Sequence, residues 1–535
     1  MCVSFSLIKN HLSTAVIKRK GQVIIMNFTI IFLIILTLVS RLIGMGREMT
    51  LAYFYGATNV SDAYLMSIAV PTILVTFVVV ALATSYIPSY QKHQGSEAEK
   101  NAFTNKVIGL TLIACFIIII LTLAFTPFIV RLFVSGFDDA TVNLTATFIR
   151  LSVFAVFFMG LNHVLHSFMQ VKEKVLLASL SGLPFNVMAI TFIVLSHLFH
   201  LHLLAIGTVF AIGAQTIYLL ILAKRQQFTF KPQFSLKDAE MKQLMILTAP
   251  IILANTVDQI GMIVDKNMAS TFGPGAVSAF TYAARTVTAT SGVFLTSIIV
   301  VTFPKISKLA TKNDIVAMKD SLAESFVGLS LFIIPLIAAV AVFSHSVITV
   351  LFGRGAFDAV AISTTSDLLY FNIFFLLGNG FTQLITRVFF ALKDTKTPMI
   401  FSTLTIILNI LLNIVFTRWF GISGLALATS VAAFVGMLAL LFMLRRKIGS
   451  LRLRRTLVSI GKIIGATGMM IGGAYVTYYH VSPFSSPISL VLAAIVGTGI
   501  YGIFLLFLRI KEVDKLIALV AEAIRKHIKN KRNEG

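Results

Sequence analysis

The segment "SRLIGMGREMTLAYFYGATNVSDAYL" (Ser40–Leu65) follows the apolar run "FTIIFLIILTLV" and yet carries Arg41, Arg47, Glu48 and Asp62. A charge held at the centre of a bilayer costs roughly 2.5–3.5 kcal/mol. A membrane helix that keeps two arginines and two carboxylates therefore turns them toward a bundle interior or a watery cavity.

The rest of the chain sets this segment in a membrane. Of its 535 residues 57% are hydrophobic and 12% charged. Apolar stretches of about 20 residues, each long enough to cross ~30 Å of hydrocarbon, recur from end to end. The polar stretches between them are short, which excludes a separate soluble catalytic domain. The pattern predicts an all-α polytopic membrane protein of fourteen spanning helices, at approximately 27–55, 60–90, 105–133, 143–169, 176–197, 202–223, 240–271, 274–303, 321–352, 362–391, 397–417, 421–444, 457–479 and 486–508.

Net charge is +23. Its placement gives it meaning. "KRQQFTFKPQFSLKDAEMK" (224–242), "PKISKLATKNDIVAMK" (304–319) and "RRKIGSLRLRR" (445–455) follow even-numbered spans, whereas odd-numbered connections such as "SGFDDATVN" and "FGPG" are poor in Lys and Arg. This asymmetry predicts cytoplasmic N- and C-termini. The basic character is then topology and contact with anionic lipid, not nucleic-acid binding. Cys2 and Cys115 are the only cysteines. They supply neither a disulfide framework nor a thiolate metal site. No signal-peptide layout precedes the first span; residues 1–25 read as a dispensable extension with Met26 as an alternative start.

The chain also repeats itself. "YFYGATNVSDAY" (53–64) echoes "STFGPGAVSAFT" (270–281), "YIPSYQK" (86–92) echoes "TFPKISK" (302–308), and "FMQVKEK" (168–174) echoes "FFALKDTK" (389–396). The shared offset near 220 residues spans six helices, so the two halves have the same orientation. The expected plan is an extension (1–26), a first lobe (27–224), a basic linker (225–243), a second lobe (244–446), two further helices (447–510) and a basic tail (511–535). Two such lobes enclose a cleft that opens to either side in turn.

Intramembrane charges mark candidate cleft residues. They are Arg41, Arg47, Glu48 and Asp62 in helices one and two, Arg150 in helix four, Asp258, Asp265 and Lys266 in helix seven, Arg285 in helix eight and Arg387 in helix ten. Arginine suits phosphate through its planar, permanently charged fork, so the cleft suggests an anionic, phosphorylated substrate. Internal pairing, such as Arg47 with Asp62 or Arg285 with Asp265, is the structural alternative. Asp258 and Asp265 lie two turns apart on one face and are candidates for a coupling cation or proton. His163 and His166 have no further metal ligand nearby in sequence. No P-loop, nucleophile elbow or HExxH motif occurs, which leaves a transporter without a hydrolytic site.

The opening segment, extended to Pro71, resembles the signature of the MurJ/MviN family of lipid II flippases, in the MOP exporter superfamily: Ser-Arg, a Gly, Arg followed by an acid, then a Gly-Ala turn and Asp-Ala. "VSAFTYAARTVTATSGVF" (277–294) resembles the family's helix-eight signature and "RVFFALKDTKTP" (387–398) its helix-ten exit. The resemblance implies a bacterial cell-membrane flippase. It would carry undecaprenyl-pyrophosphate-linked disaccharide-pentapeptide from the inner to the outer leaflet for peptidoglycan synthesis, with cell-wall synthesis machinery as a candidate partner. It implies that Arg41, Arg47 and Arg285 grip the pyrophosphate and that Asp62 positions an arginine or helps close the gate. Ser40, Glu48, Arg150, Asp258, Asp265, Lys266 and Arg387 are further cavity or gating candidates. It implies a lipid-tail groove in the last two helices, no cofactor, and coupling to membrane potential, H+ or Na+. Family members carry an arginine shortly after the helix-two proline. Val75 and Thr76 stand there in this chain, with Lys266 and Arg150 as candidate replacements. Alternatives are a flippase for another polyprenyl-linked glycan, a cation-coupled drug exporter and a non-transporting envelope scaffold.

Overall fold

The computed structural model describes residues 28–92, 95–234, 238–451, 454–481, 486–510 and 513. The extension expected at 1–26 and the tail expected at 511–535, apart from 513, lie outside the described residues. What is described is helical, with no strand among the described residues.

The first set of helices comprises α1 (Phe28–Tyr55), α2 (Asn59–Lys92), α3 (Glu97–Ala124), α4 (Thr126–Phe133), α5 (Asp139–Ser152), α6 (Ala155–Val171), α7 (Val175–Leu198) and α8 (Leu203–Arg225). The second set comprises α9 (Ala239–Ser270), α10 (Ala276–Thr311), α11 (Ile315–Val342), α12 (Ser344–Phe352), α13 (Ala359–Asn372), α14 (Phe375–Ala391), α15 (Lys396–Phe420) and α16 (Ser423–Ile448). Two helices follow, α17 (Arg454–Val481) and α18 (Ser486–Phe507). These elements fall where the fourteen spans are expected, with α3–α4, α5–α6, α11–α12 and α13–α14 each making one broken span. Ten helices among the described residues are long and apolar enough to cross a membrane alone, and twelve if each sharply bent pair counts as one.

The repeat is visible in the breaks. Helices α5 and α6 have 14 and 17 residues, and α13 and α14, 220 positions further on, have the same lengths. Both pairs end in a turn whose second residue has a positive φ, Glu173 at 58° and Lys393 at 60°. The glycines matched by the sequence echo, Gly56 and Gly273, also share positive φ, 59° and 96°.

Proline shapes α2. The Pro71 ring removes one backbone donor and crowds the carbonyl four residues earlier. That carbonyl, on Ser67, accepts the Ser152 hydroxyl of α5 at 2.8 Å. The ladder then widens into a π-type turn over Thr76–Val80, a local adjustment common where a helix must re-aim its faces.

Helix α9 belongs to both sets. Its first part packs on the first set, where Thr248 donates to the Ser85 hydroxyl at 3.1 Å and Met241 and Leu244 enter an apolar cluster with Tyr86 and Phe103. Its last part meets α15 through Asp265 and Asn413, and α4 through Asn267, which donates to the Leu132 carbonyl at 2.9 Å. The connection before α9 is strapped along α3: Asn105 donates to the Thr229 carbonyl and accepts the Lys231 amide, both at 2.8 Å. The largest buried apolar cluster joins the two sets around Leu51, Tyr64, Tyr282, Phe352 and Phe357.

Candidate functional site

Three turns meet at one end of the bundle: Gly56–Thr58 between α1 and α2, 271–275 between α9 and α10, and 353–358 between α12 and α13. The Ala356 amide donates to the Tyr53 carbonyl at 2.8 Å. A Cβ on Gly56 would lie 2.3 Å from the Ala356 carbonyl oxygen, and one on Gly275 would lie 2.1 Å from that of Ala57. The two sets are thus in backbone contact here, at distances only glycine permits.

Asp62 joins the two sets at this end. Its carboxylate, fully buried in the first turn of α2, accepts the Gly275 amide at 2.8 Å and the Ser278 amide at 2.6 Å. Those are the N-cap and third-residue N–H groups of α10, which have no partner within their own helix. A carboxylate of one set therefore caps a helix of the other, satisfying two donors and meeting the positive end of the helix dipole. Below it, the Tyr282 hydroxyl donates to the Gly56 carbonyl at 3.5 Å.

Further in, Glu48 of α1 is 3% exposed and sits between two guanidiniums. Arg47, its chain neighbour, reaches it through Nε at 3.2 Å and through a second nitrogen, and Arg285 of α10 pairs with the same Oε1. The Arg47 guanidinium also lies over the Phe185 ring of α7, 4.9 Å from its centroid. The pairs expected from sequence, Arg47 with Asp62 and Arg285 with Asp265, are replaced by this cross-set clamp. Asp62 meets backbone amides and no arginine among the described residues, because the α10 terminus reaches it first. Asp265 accepts the Asn413 side-chain amide of α15 at 2.6 Å.

One cavity adjoins the clamp, and a second adjoins that cavity. The first, about 510 Å³, lies between α2, α9, α10, α13 and α14 and is lined by Thr72, Asp265, Lys266, Arg285 and Asn379 among others. The second, about 620 Å³, shares Phe375 and Asn379 with it and contains Asp258 and Asn255 of α9. The Asn255 Nδ2 is buried there without a hydrogen-bond partner among the described residues. Asp258 and Asp265 thus face two neighbouring spaces and do not share one site.

The other candidates stand apart. Arg41 is exposed on α1, and the Ser40 carbonyl beside it accepts from Asn186 at 3.4 Å. Arg150 is exposed on α5 and lines neither cavity. Arg387 lies over the Phe303 and Phe390 rings, 5.5 and 6.0 Å from their centroids, outside both cavities. On helix two, Thr72 lines the first cavity, and Thr76 opens the widened turn. His166 contacts the Ser181 hydroxyl at 3.3 Å, and no group of three or more metal ligands occurs among the described residues. Sequence reading missed Asn413, although Asn409 and Asn413, four apart in an apolar helix, are a visible signal of an inward polar face. It missed the Gly275 and Ser278 amides because backbone donors leave no mark in composition.

The family model "Lipid II flippase MurJ" matches residues 51–495. The chain belongs to the MurJ family. A MurJ relative from Thermosipho africanus, named lipid II flippase MurJ, is 28% identical over 416 residues, covering 78% of this chain and 85% of the relative. A solved lipid II flippase MurJ in an inward closed conformation superposes with a TM-score of 0.77 at 25% identity, covering 90% of this chain and 99% of that one. An inward-facing multidrug resistance MATE transporter of the MOP superfamily shares the fold at a TM-score of 0.63 and 15% identity, covering 78% of this chain and 96% of that one. The chain is thus a multi-pass membrane transporter of the MurJ type.

Proposed function

We propose that this chain moves lipid II, the undecaprenyl-pyrophosphate-linked peptidoglycan precursor, across the bacterial cell membrane by alternating access. One observation carries the reading: arginines from both sets, Arg47 and Arg285, converge on a single buried carboxylate beside a cavity inside the membrane bundle. Glu48 holds the two cations together in the absence of substrate. A pyrophosphate brings its own negative charge and competes for the same guanidinium donors, which form bidentate bonds to phosphate. Headgroup binding is thereby linked to the contact between the sets.

The two sets act as lobes, 27–224 and 244–446. With both termini cytoplasmic, as the cation asymmetry predicts, the closed end at Gly56, Gly275 and Ala356 faces outward. The headgroup then enters from the cytoplasmic side. Asp62 is the outer latch, and its release from α10 accompanies outward opening. The lipid tail runs along 457–508, outside both lobes. Membrane potential or an H+ or Na+ gradient drives the cycle, with Asp258 and Asp265 as the carboxylates available to a coupling ion. No hydrolytic step is needed.

The test is to deplete a host's own lipid II flippase and express this chain, wild type or Arg47→Ala, while following lipid II exposure on the outer leaflet. Rescue by wild type and not by the mutant is expected. A well-inserted wild type that fails to rescue would redirect the reading to another polyprenyl-linked glycan. Rescue by both would remove Arg47 from the mechanism.

A further inference from the structure

We propose that Lys266 is a substrate-contacting cation, seating one part of a doubly charged phosphate group in the 510 Å³ cavity while Arg285 holds the other. The identity of the anion rests on the flippase reading; the seat rests on the cavity lining and on the unpaired ammonium within it.

Asp265, Lys266 and Arg285 are the charged residues lining this cavity. Its α2 wall, Leu65, Ile68, Ala69, Thr72 and Ile73, carries no charge. Any anion entering must therefore find its cations on α9 and α10. The neighbouring carboxylates are already engaged: Glu48 by two guanidiniums, Asp62 by two backbone amides and Asp265 by Asn413. Lys266 has Arg285, Asp62 and Asp265 within electrostatic reach. Yet its ammonium forms no hydrogen bond or ion pair with any described residue. An ammonium has three donors and no acceptor. Holding one inside a membrane bundle without direct partners is costly, and such residues mark ligand or ion paths.

The group is balanced as it stands. Arg47, Arg285 and Lys266 face Glu48, Asp62 and Asp265, three cations against three carboxylates. Within it, Lys266 is the cation whose donors remain free among the described residues. A planar fork beside a compact point charge fits two linked phosphates: Arg285 takes one in bidentate fashion, and Lys266 reaches the second or the bridging oxygen. The alternative role for Lys266 is an internal counter-ion to Asp62 and Asp265.

The test uses the full-length protein in nanodiscs with inorganic pyrophosphate as probe. Isothermal titration of Lys266→Met is expected to show about tenfold weaker binding, largely restored in Lys266→Arg. In the wild type, pyrophosphate should protect Lys266 from an amine-acylating reagent, read by peptide mass spectrometry. That measurement stands whether or not the variants fold. Unchanged binding in a folded Lys266→Met, or no protection in the wild type, overturns the assignment and leaves Lys266 a counter-ion. Lysine-dependent pyrophosphate binding in a chain that fails to restore lipid II exposure would keep the seat and discard the lipid II reading. Restored exposure with Lys266-independent binding would do the reverse.

Discussion

The turns Gly56–Asp62 and Gly273–Ala279 descend from one repeated pattern and do different work. Both begin with a glycine at positive φ, and both place a serine, Ser61 or Ser278, whose hydroxyl donates to a nearby turn carbonyl at 2.7 or 3.0 Å. They part at the next residue, Asp62 in one and Ala279 in the other. Asp62 crosses to cap α10, and nothing equivalent returns. Asp62 is thus a one-way side-chain cap between the two sets, beside the Ala356–Tyr53 and Tyr282–Gly56 hydrogen bonds that also cross at this end. The lesson is that a single unpaired substitution can give a repeated scaffold an asymmetric contact between its halves.

The sharpest way to break the comparison is steric. Gly56→Ala would push a Cβ into the Ala356 carbonyl, whereas a Cβ on Gly273 meets nothing within 4 Å. Gly56→Ala is expected to abolish disulfide formation between cysteines at Tyr53 and Ala356 and to abolish rescue of a flippase-depleted host. Gly273→Ala suffers only the backbone strain of its positive φ, of order 1 kcal/mol, and should retain both. Equal loss in the two variants would show that contact at this end is not what distinguishes the turns.

A smaller effect follows from the Asp62 cap itself. Asp62→Asn removes the charge and one of two acceptors, weakening the closed end by about 1–2 kcal/mol. Cross-linking of the Tyr53/Ala356 cysteine pair should fall accordingly. Ala279→Asp tests the reverse direction. Ala279 lines the same crevice as Asn59 and Val60 at the start of α2, so a carboxylate there can cap α2 in return. Cross-linking should rise and transport slow. If Ala279→Asp leaves both unchanged, the asymmetry is incidental.

The smallest effect lies at the opposite end. The turns after α6 and α14 share a backbone but reverse their charges: Lys172 pairs with Glu97 in one, and Asp394 with Lys447 in the other. The Lys447 ammonium, with help from the Thr397 amide and hydroxyl, holds the Asp394 carboxyl down at about 2. A depressed carboxylate stabilises the fold fully above its ordinary value near 4, and the contribution is lost as the pH falls through about 2. Asp394→Asn should lower the thermal midpoint by only about 2 °C at pH 7, since exposed pairs contribute little. That difference should shrink between pH 4 and pH 2. A constant difference over this range would remove the ion pair as its cause.

Sequence by itself determined the membrane class, the places of the helices, the repeat and the identity of the charged residues, because each rests on composition, period or spacing along the chain. Arg47, Glu48, Asp62, Lys266 and Arg285 were all visible as charges that lipid will not tolerate. Their partners were not. Glu48 gathers both arginines, Asp62 takes the amides of Gly275 and Ser278, and Asp265 takes Asn413. Each choice depends on which atoms the two helix sets bring within about 3 Å, often backbone atoms common to every residue. Arg41 and Arg150 were legible as cleft candidates too, and only the packed bundle shows that both are exposed and line neither cavity. Charge in a membrane segment announces that a partner exists, and tertiary packing selects which one, because pairing energy depends on distance and desolvation and not on position in the chain.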